Sequence, residues 1–261
     1  MNVTTASRSA NDVTAANAGR WLTRPRVLGT IAGLWLTFFA GVMVIVGALT
    51  GFAARRLYAA MARAASFIVL RLYGIRLVIV REVPFPRAQT IYISNHTSTL
   101  DIFILVALGL PRCRFFLSGF VRKYIPLGAM AWMMGTFFTV PQDRPDERRR
   151  IFAAAEQTLR ATGESVYLSP EGARITTGQI GHFNKGAFHL ATNLHAPIVP
   201  LYFHIPRDID PGRGFDARPG VVTVEVLPAI DTHEWVLEDL ESNVARVREI
   251  FVRRHEAAHH G

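Results

Sequence analysis

The sequence predicts an α/β protein with a mixed, largely parallel sheet flanked by helices, preceded by an N-terminal membrane-embedded or interfacial helical segment. Three observations carry that expectation. From about Tyr73 onward, short β-branched runs alternate with segments of helical period, the pattern of βα units. Ahead of them, Val27 to Ala54 form an uncharged apolar run of 28 residues. The chain of 261 residues is 50% hydrophobic and 19% charged, long enough for one domain with its own core and tilted toward contact with lipid.

Taken in order, residues 1–20 are small, polar and aperiodic, and are expected to be a disordered tail. Residues 21–73 read as a membrane-associated helical segment. A helix crosses a bilayer core with about 20 apolar residues, and the run from Val27 exceeds this. It is too long for a signal-peptide core and has no convincing cleavage site. Its flanks are basic on both sides, with Arg20, Arg24 and Arg26 before it and Arg55, Arg56 and Arg63 after it, so positive charge sets no orientation. The stretch to Tyr73 spaces arginines through an apolar helical pattern and reads as interfacial. A single span and a hairpin dipping into one leaflet are both open, and a buried core helix is the competing structural reading.

Residues 74–261 are expected to form the α/β domain. Strands are predicted near 75–81, 89–94, 113–118, 136–140, 164–168, 197–203 and 221–227, and helices over 98–109, 120–133, 145–161, 184–194 and 233–256. The helix after Arg144 illustrates the logic: Ile151, Phe152, Ala155 and Leu159 share one face, Arg148 to Arg150 supply a cationic one, and Gly163 stops it. The stretch "DPGRGFDARPG", residues 210–220, reads as a surface loop.

The net charge of +9 attracts nucleic acid, anionic headgroups or an acidic carrier protein, and charge alone does not choose among them. Nucleic acid is disfavoured because the arginines lack the interleaved aromatics of a base-stacking surface. The single cysteine, Cys113, rules out an internal disulfide and is consistent with a reducing compartment. Its place in a predicted strand favours a structural thiol over a nucleophile.

Two constellations carry chemistry. In "ISNHTSTLD", Ile93 to Asp101, Ser98 and Asp101 fit a helix-capping pattern, which leaves His96 as incidental loop. Positions five apart diverge by roughly 140° around a helix, so His96 must lie in the preceding turn, from which it can fold back over the first turn toward Asp101. Capping and catalysis are then compatible. The imidazole would accept a proton from a hydroxyl while the carboxylate holds its other nitrogen, and no enzyme nucleophile is needed. The Asn-His-Thr triplet also matches a glycosylation acceptor, but nothing else indicates secretion. The second constellation spans residues 167–203. A strand runs into Ser169 to Arg174, a glycine-containing loop follows, and Lys185 opens a helix. Arg174 and Lys185 flanking such a loop make an anion cradle suited to phosphate; a solvated turn with surface cations is the bland alternative.

Together these stretches resemble the glycerolipid acyltransferase family, whose best-known members are the 1-acylglycerol-3-phosphate acyltransferases. The family's Asn-His-x-Ser-x-x-Asp block is complete as Asn95, His96, Ser98 and Asp101. Its Phe-Pro-Glu-Gly-Thr-Arg block is matched at four of six positions by Ser169 to Arg174, followed by "FNKGA" at 183–187 and the paired Pro197 and Pro200. A further block departs: Pro126 and Gly128 are one residue too close, and Arg144 falls three residues later than the pattern predicts, which puts the acceptor headgroup in question.

The resemblance implies transfer of an acyl chain from acyl-coenzyme A or acyl-carrier protein, as co-substrate and without a cofactor or metal, to the hydroxyl of a lysophosphatidic acid-like acceptor in phospholipid biosynthesis. His96 would be the base and Asp101 its orienter. Asn95, Ser98, Arg144, Glu171, Gly172, Arg174 and Lys185 would bind substrate. Membrane lipids and a lysophospholipid would be partners, and the site would face the cytoplasm at the inner membrane. Another lipid acceptor, an amino-acid lipid or a different lysophospholipid, is the alternative, and a non-catalytic lipid-binding protein is a second. One decoy is set aside: "HEAAH", His255 to His259, matches a zinc pattern but stands two residues from the end of the sequence, with no third ligand in view.

Overall fold

The computed structural model describes residues 10–175, 177, 179–210, 212 and 216–260, with side chains from Arg26 to Ala258 at the two terminal helices. Residues 1–9 of the expected tail and parts of the expected 210–220 loop lie outside the described residues. Helix α1, Ala10–Leu49, begins within the stretch read as a tail. Among the described residues it is the one helix long and apolar enough, over Arg26–Leu49, to cross a membrane by length and composition. One stripe, Ala32, Leu36, Ala40 and Met43, is buried against the rest of the protein, while Leu34, Phe38, Ile45 and Leu49 face outward. Helix α2, Arg55–Leu72, follows a short turn and buries Tyr58, Ala62, Ala65, Ser66, Val69 and Leu70, the spacing of one helical face.

The α/β fold is as expected. Strands β1 (Ile75–Val80), β2 (Ile91–Ser94), β3 (Cys113–Ser118), β4 (Phe137–Thr139), β5 (Ser165–Leu168), β6 (Ile198–His204) and β7 (Gly220–Val226) form one sheet in the order β1-β7-β6-β2-β5-β3-β4. The pairs from β6 to β4 run parallel, β7 is antiparallel to β6, and β1 is parallel to β7. Central strands β2 and β5 are buried along their whole length, which is why they read as continuous apolar runs rather than alternating ones. Helices α3 (Asp101–Leu108) and α4 (Ile125–Met133) join α1 and α2 over one core cluster. Helices α5 (Pro145–Thr162), α6 (Gly186–Leu194) and α7 (Leu240–His260) share in the other.

Differences from the expected boundaries have local causes. The helix expected over 98–109 starts at Asp101, because the N–H groups of Thr97 and Ser98 bond the Asp101 side chain instead of starting the helix. The helix expected over 120–133 divides into a 3-10 turn, Gly119–Lys123, and α4. Pro126 lacks an N–H and suits only the first turn of a new helix. The last helix begins at Leu240, and Leu237, expected on its packing stripe, sits 49% exposed in a 3-10 turn. Leu240, Val244, Val247 and Phe251 are buried as that stripe requires.

Candidate active site

The parallel strands deliver their C-terminal ends to one pole of the sheet, where open α/β sheets place ligands. The chain leaves β2 at Ser94 and enters α3 at Asp101, so His96 stands in the intervening turn. Its imidazole Nδ1 lies 2.6 Å from Asp101 Oδ2. The same carboxylate oxygen accepts from Thr97 N at 2.9 Å and Ser98 N at 3.1 Å. A carboxylate so engaged only accepts, so Nδ1 carries the ring proton and Nε2 presents its lone pair. The Asp101 side chain is 5% exposed and that of His96 32%, which leaves the imidazole open on one side.

The main chain of His96 is pinned on both sides. Its N–H donates to Glu171 Oε2 at 2.6 Å and its carbonyl accepts from Ile175 N at 2.8 Å. The other Glu171 oxygen accepts from Gly181 N at 2.7 Å. Burial pushes the Glu171 carboxyl above its ordinary range, against the backbone donors that favour its charged form. Gly172 follows with φ +71°, and a Cβ there would stand 2.9 Å from Asn184 Nδ2, so the sharp turn after Glu171 needs glycine. Asn184 closes that turn by donating to the carbonyls of Pro170 and Glu171 at 2.9 and 3.2 Å.

Three residues expected to bind substrate spend their polar atoms on this framework instead. Asn95 is buried and both ends of its amide bond the backbone of Phe203 in β6, at 3.0 and 2.8 Å. Ser98 donates to Asp210 and accepts from Leu100 N at 2.8 Å. Glu171 is saturated by two backbone N–H groups.

Of the expected cations, Arg174 comes to the turn, donating to Thr99 Oγ1 and to the Gly212 carbonyl. Arg144 and Lys185 are not brought with it. Arg144 pairs with Glu147 at 3.5 Å on its own helix, and Lys185 pairs with Glu241 of α7.

The sequence reading missed Asp210. It is 5% exposed within a stretch taken for surface loop, takes the Ser98 hydroxyl on one oxygen and Gly212 N on the other, and burial raises its carboxyl. Nothing in its spacing signals this. Tyr167 was also missed; its hydroxyl meets Ser94 Oγ at 2.8 Å beneath the turn. Cys113 is half-buried with its thiol pushed up by burial, as a structural cysteine should be. In the "HEAAH" stretch, His255 Nδ1 meets Tyr202 OH at 3.0 Å, and the His259 side chain lies outside the described residues. Among the described residues no group of three or more His, Cys, Asp or Glu is placed to hold a metal ion.

A tight apolar cavity of about 30 Å³ lies beside α3, lined by Ile102, Phe103 and Val106 together with Leu127, Met130 and Met134 of the α4 region. A larger groove of about 830 Å³ lies at the opposite pole, lined in part by Arg55, Arg63 and Arg112. There Arg63 and Arg112 bond the terminal carbonyls of α3 and α5, a structural use of those cations.

Residues 76–204 match the family described as Acyltransferase. The chain is 28% identical over 189 residues to a 1-acyl-sn-glycerol-3-phosphate acyltransferase of Limnanthes alba, covering 71% of this chain and 66% of that one. It is 29% identical over 178 residues to the alpha form of 1-acyl-sn-glycerol-3-phosphate acyltransferase of Homo sapiens, covering 68% and 62%. The chain thus spans about two thirds or less of the length of these relatives. The crystal structure of the 1-acyl-sn-glycerophosphate acyltransferase PlsC from Thermotoga maritima has the same fold, with a TM-score of 0.68 at 18% identity over 89% of this chain and 98% of that one. The matched region encloses the His96–Asp101 turn, the loop that bonds it and the strands that carry them, and this chain belongs to the acyltransferase family.

Proposed function

We propose that the protein transfers an acyl chain from a thioester, acyl-coenzyme A or acyl-carrier protein, to the free hydroxyl of lysophosphatidic acid. The observation that carries this reading is the 2.6 Å contact between His96 Nδ1 and Asp101, made in a turn whose backbone is held on both sides. With Nδ1 donating to the carboxylate, Nε2 takes the proton of the acceptor hydroxyl as its oxygen attacks the thioester carbonyl. The tetrahedral species collapses, the carbon–sulfur bond breaks, and the imidazolium returns the proton to the departing thiolate. The thioester is already activated, so the residues need only orient, deprotonate and reprotonate.

Arg174 is the cation best placed to meet the acceptor's phosphate, since it already bonds the catalytic turn through Thr99. An alkyl chain entering the cavity beside α3 would displace Met130 and Met134, side chains suited to repacking. Residues 1–73 would hold the domain at the bilayer that supplies the acceptor, and residues 74–261 would carry the chemistry at the cytoplasmic face of the inner membrane. No cofactor enters any step.

One observation favours a second acceptor. Arg144 and Lys185, both expected near a phosphate, are spent on exposed pairs with Glu147 and Glu241. The two readings separate when purified protein and labelled acyl donor meet a panel of lysolipids. Acylation of lysophosphatidic acid above all others is expected; acylation of a phosphate-free acceptor while lysophosphatidic acid is ignored would replace the first reading with the second.

A further inference from the structure

We propose that the outer face of α4 and the 3-10 turn before it form a bilayer-contact surface of their own, seated among anionic headgroups beside the mouth of the site. This rests on the reading of the chain as a membrane-associated enzyme, but it concerns an element of the α/β domain rather than α1. In the turn and the start of α4, Phe120, Tyr124 and Ile125 are 55%, 48% and 79% exposed, and Trp132 at the far end is 61% exposed. Ile125, Ala129 and Trp132 follow at helical spacing, so they mark one outward stripe. The inward stripe, Leu127, Met130, Ala131 and Met134, lines the apolar cavity. A helix that is apolar on every side is either buried or in lipid, and the outward stripe of α4 is exposed.

Charge sharpens the choice of occupant. Arg122 and Lys123 stand between the aromatics. The Lys123 ammonium lies 5.3 Å from the Phe120 ring and the Arg122 guanidinium 4.6 Å from the Phe138 ring, while Phe120 and Tyr124 meet edge to face at 5.4 Å. Basic side chains interleaved with aromatics suit the headgroup layer, where rings and alkyl stems sit in the apolar boundary and charges reach phosphate. The segment from Gly119 to Met134 contains no acidic residue. A second copy of the chain docking here two-fold would bring like charges together without a carboxylate between them, so a bilayer fits and a self-complementary dimer does not.

The surface is continuous with α1. Trp132 meets Phe52 edge to face at 5.7 Å, and Phe52 leads onto the outward apolar stripe ending at Leu49. Its position also fits a task. The 3-10 turn leaves β3 at the pole where β2 delivers His96, so lipid contact there puts the imidazole at the depth of a membrane-held hydroxyl.

The test is site-directed fluorescence on the full chain. In a Cys113→Ser background, Ile125→Cys carries a polarity-sensitive thiol label, and Gln157→Cys on exposed α5 carries the same label as a reference. Vesicles of phosphatidylcholine and phosphatidylglycerol bearing nitroxide lipid should quench the label at 125 severalfold and shield it from aqueous iodide, while the label at 157 stays open to iodide. A label at 125 as accessible to iodide as the one at 157 on vesicles overturns the proposal. So does a label shielded before vesicles are added, in a chain that sediments as a dimer. Quenching requires no turnover, so a failure of the acyl-transfer reading would leave this result standing. A second variant adds an independent arm: Ile125→Glu with Trp132→Glu should lower the rate on vesicle-held lysolipid severalfold and leave the rate on the same lysolipid in detergent unchanged. Equal losses in both presentations would count against the bilayer contact.

Discussion

The His96–Asp101 turn and the expected cations Arg144 and Lys185 are built to different standards. In the turn, the His96 N–H, carbonyl and Nδ1 each have a partner, and Asp101 gathers three donors on one buried oxygen. By contrast, Arg144 is 63% exposed and pairs with Glu147 at 51%, and Lys185 is half exposed against a more open Glu241. Exposed pairs of this kind are worth about 0–1 kcal/mol, whereas the bonds of the turn converge on the buried carboxylates of Asp101 and Glu171. On the proposed reading, the chemistry depends on the fixed geometry of the turn, while Arg144 and Lys185, each spent on an open pair, add little to the choice of acceptor. Changes in the first region should therefore strike kcat, and changes in the second should strike KM.

Short of His96 itself, the largest expected effect belongs to Asp101→Asn. The variant no longer fixes the Nδ1–H tautomer or stabilises the imidazolium, and kcat should fall by roughly 10²–10⁴-fold with little change in acceptor KM. A variant whose KM rises while kcat holds would erase the distinction between the two regions.

Next comes Arg174→Gln set against Lys185→Ala. Loss of a charge-assisted contact to phosphate, about 1.5–3 kcal/mol, should raise acceptor KM by roughly 10–100-fold for Arg174. Lys185→Ala and Arg144→Gln should each move KM by less than about fivefold, within the worth of an exposed pair. Steady-state kinetics on lysophosphatidic acid read both, and a large effect at Lys185 would show that Glu241 releases it on binding.

A further effect is on stability rather than on rate. Glu171→Gln turns one acceptor oxygen into a donor facing the His96 or Gly181 N–H, at a cost of about 1–3 kcal/mol in urea unfolding. Its pH dependence has a definite sign. Burial holds the Glu171 carboxyl above its ordinary 4.5, so the folded chain keeps that proton more tightly than the unfolded chain does. Stability from this group is therefore complete below 4.5 and is lost as pH rises through the raised value. Glutamine does not titrate there, so the parent's advantage over the variant should narrow as pH rises toward neutrality. A gap that widens instead would mean that the two N–H bonds outweigh burial.

Much of this was legible in the sequence, for reasons that differ by region. All seven strands lie where apolar runs placed them; central β2 and β5, covered on both faces, leave the most unbroken hydrophobic signature. The pairing of His96 with Asp101 followed from helix geometry: five residues cannot share a face, so the turn had to bring them together. The bonds that Asn95, Ser98 and Glu171 make within the protein were not legible, because a motif gives residue types and not bond partners. The partners, Phe203, Asp210 and Gly181, come from distant segments. Asp210 was hidden for the same reason, a buried carboxylate inside a stretch rich in glycine, proline and arginine that local composition marks as surface. The pairs that Arg144 and Lys185 make with Glu147 and Glu241 were not legible either, because a cation near a loop looks the same in sequence whether it faces a ligand or a neighbouring carboxylate.

The central claim is that the His96 imidazole removes the acceptor's proton. It is met most directly by comparing the purified chain with His96→Ala for labelled acyl transfer from a thioester to lysophosphatidic acid, after circular dichroism has shown that both are folded. Transfer should fall by roughly 10²–10⁴-fold in the variant. Transfer at the parent's rate would contradict the account.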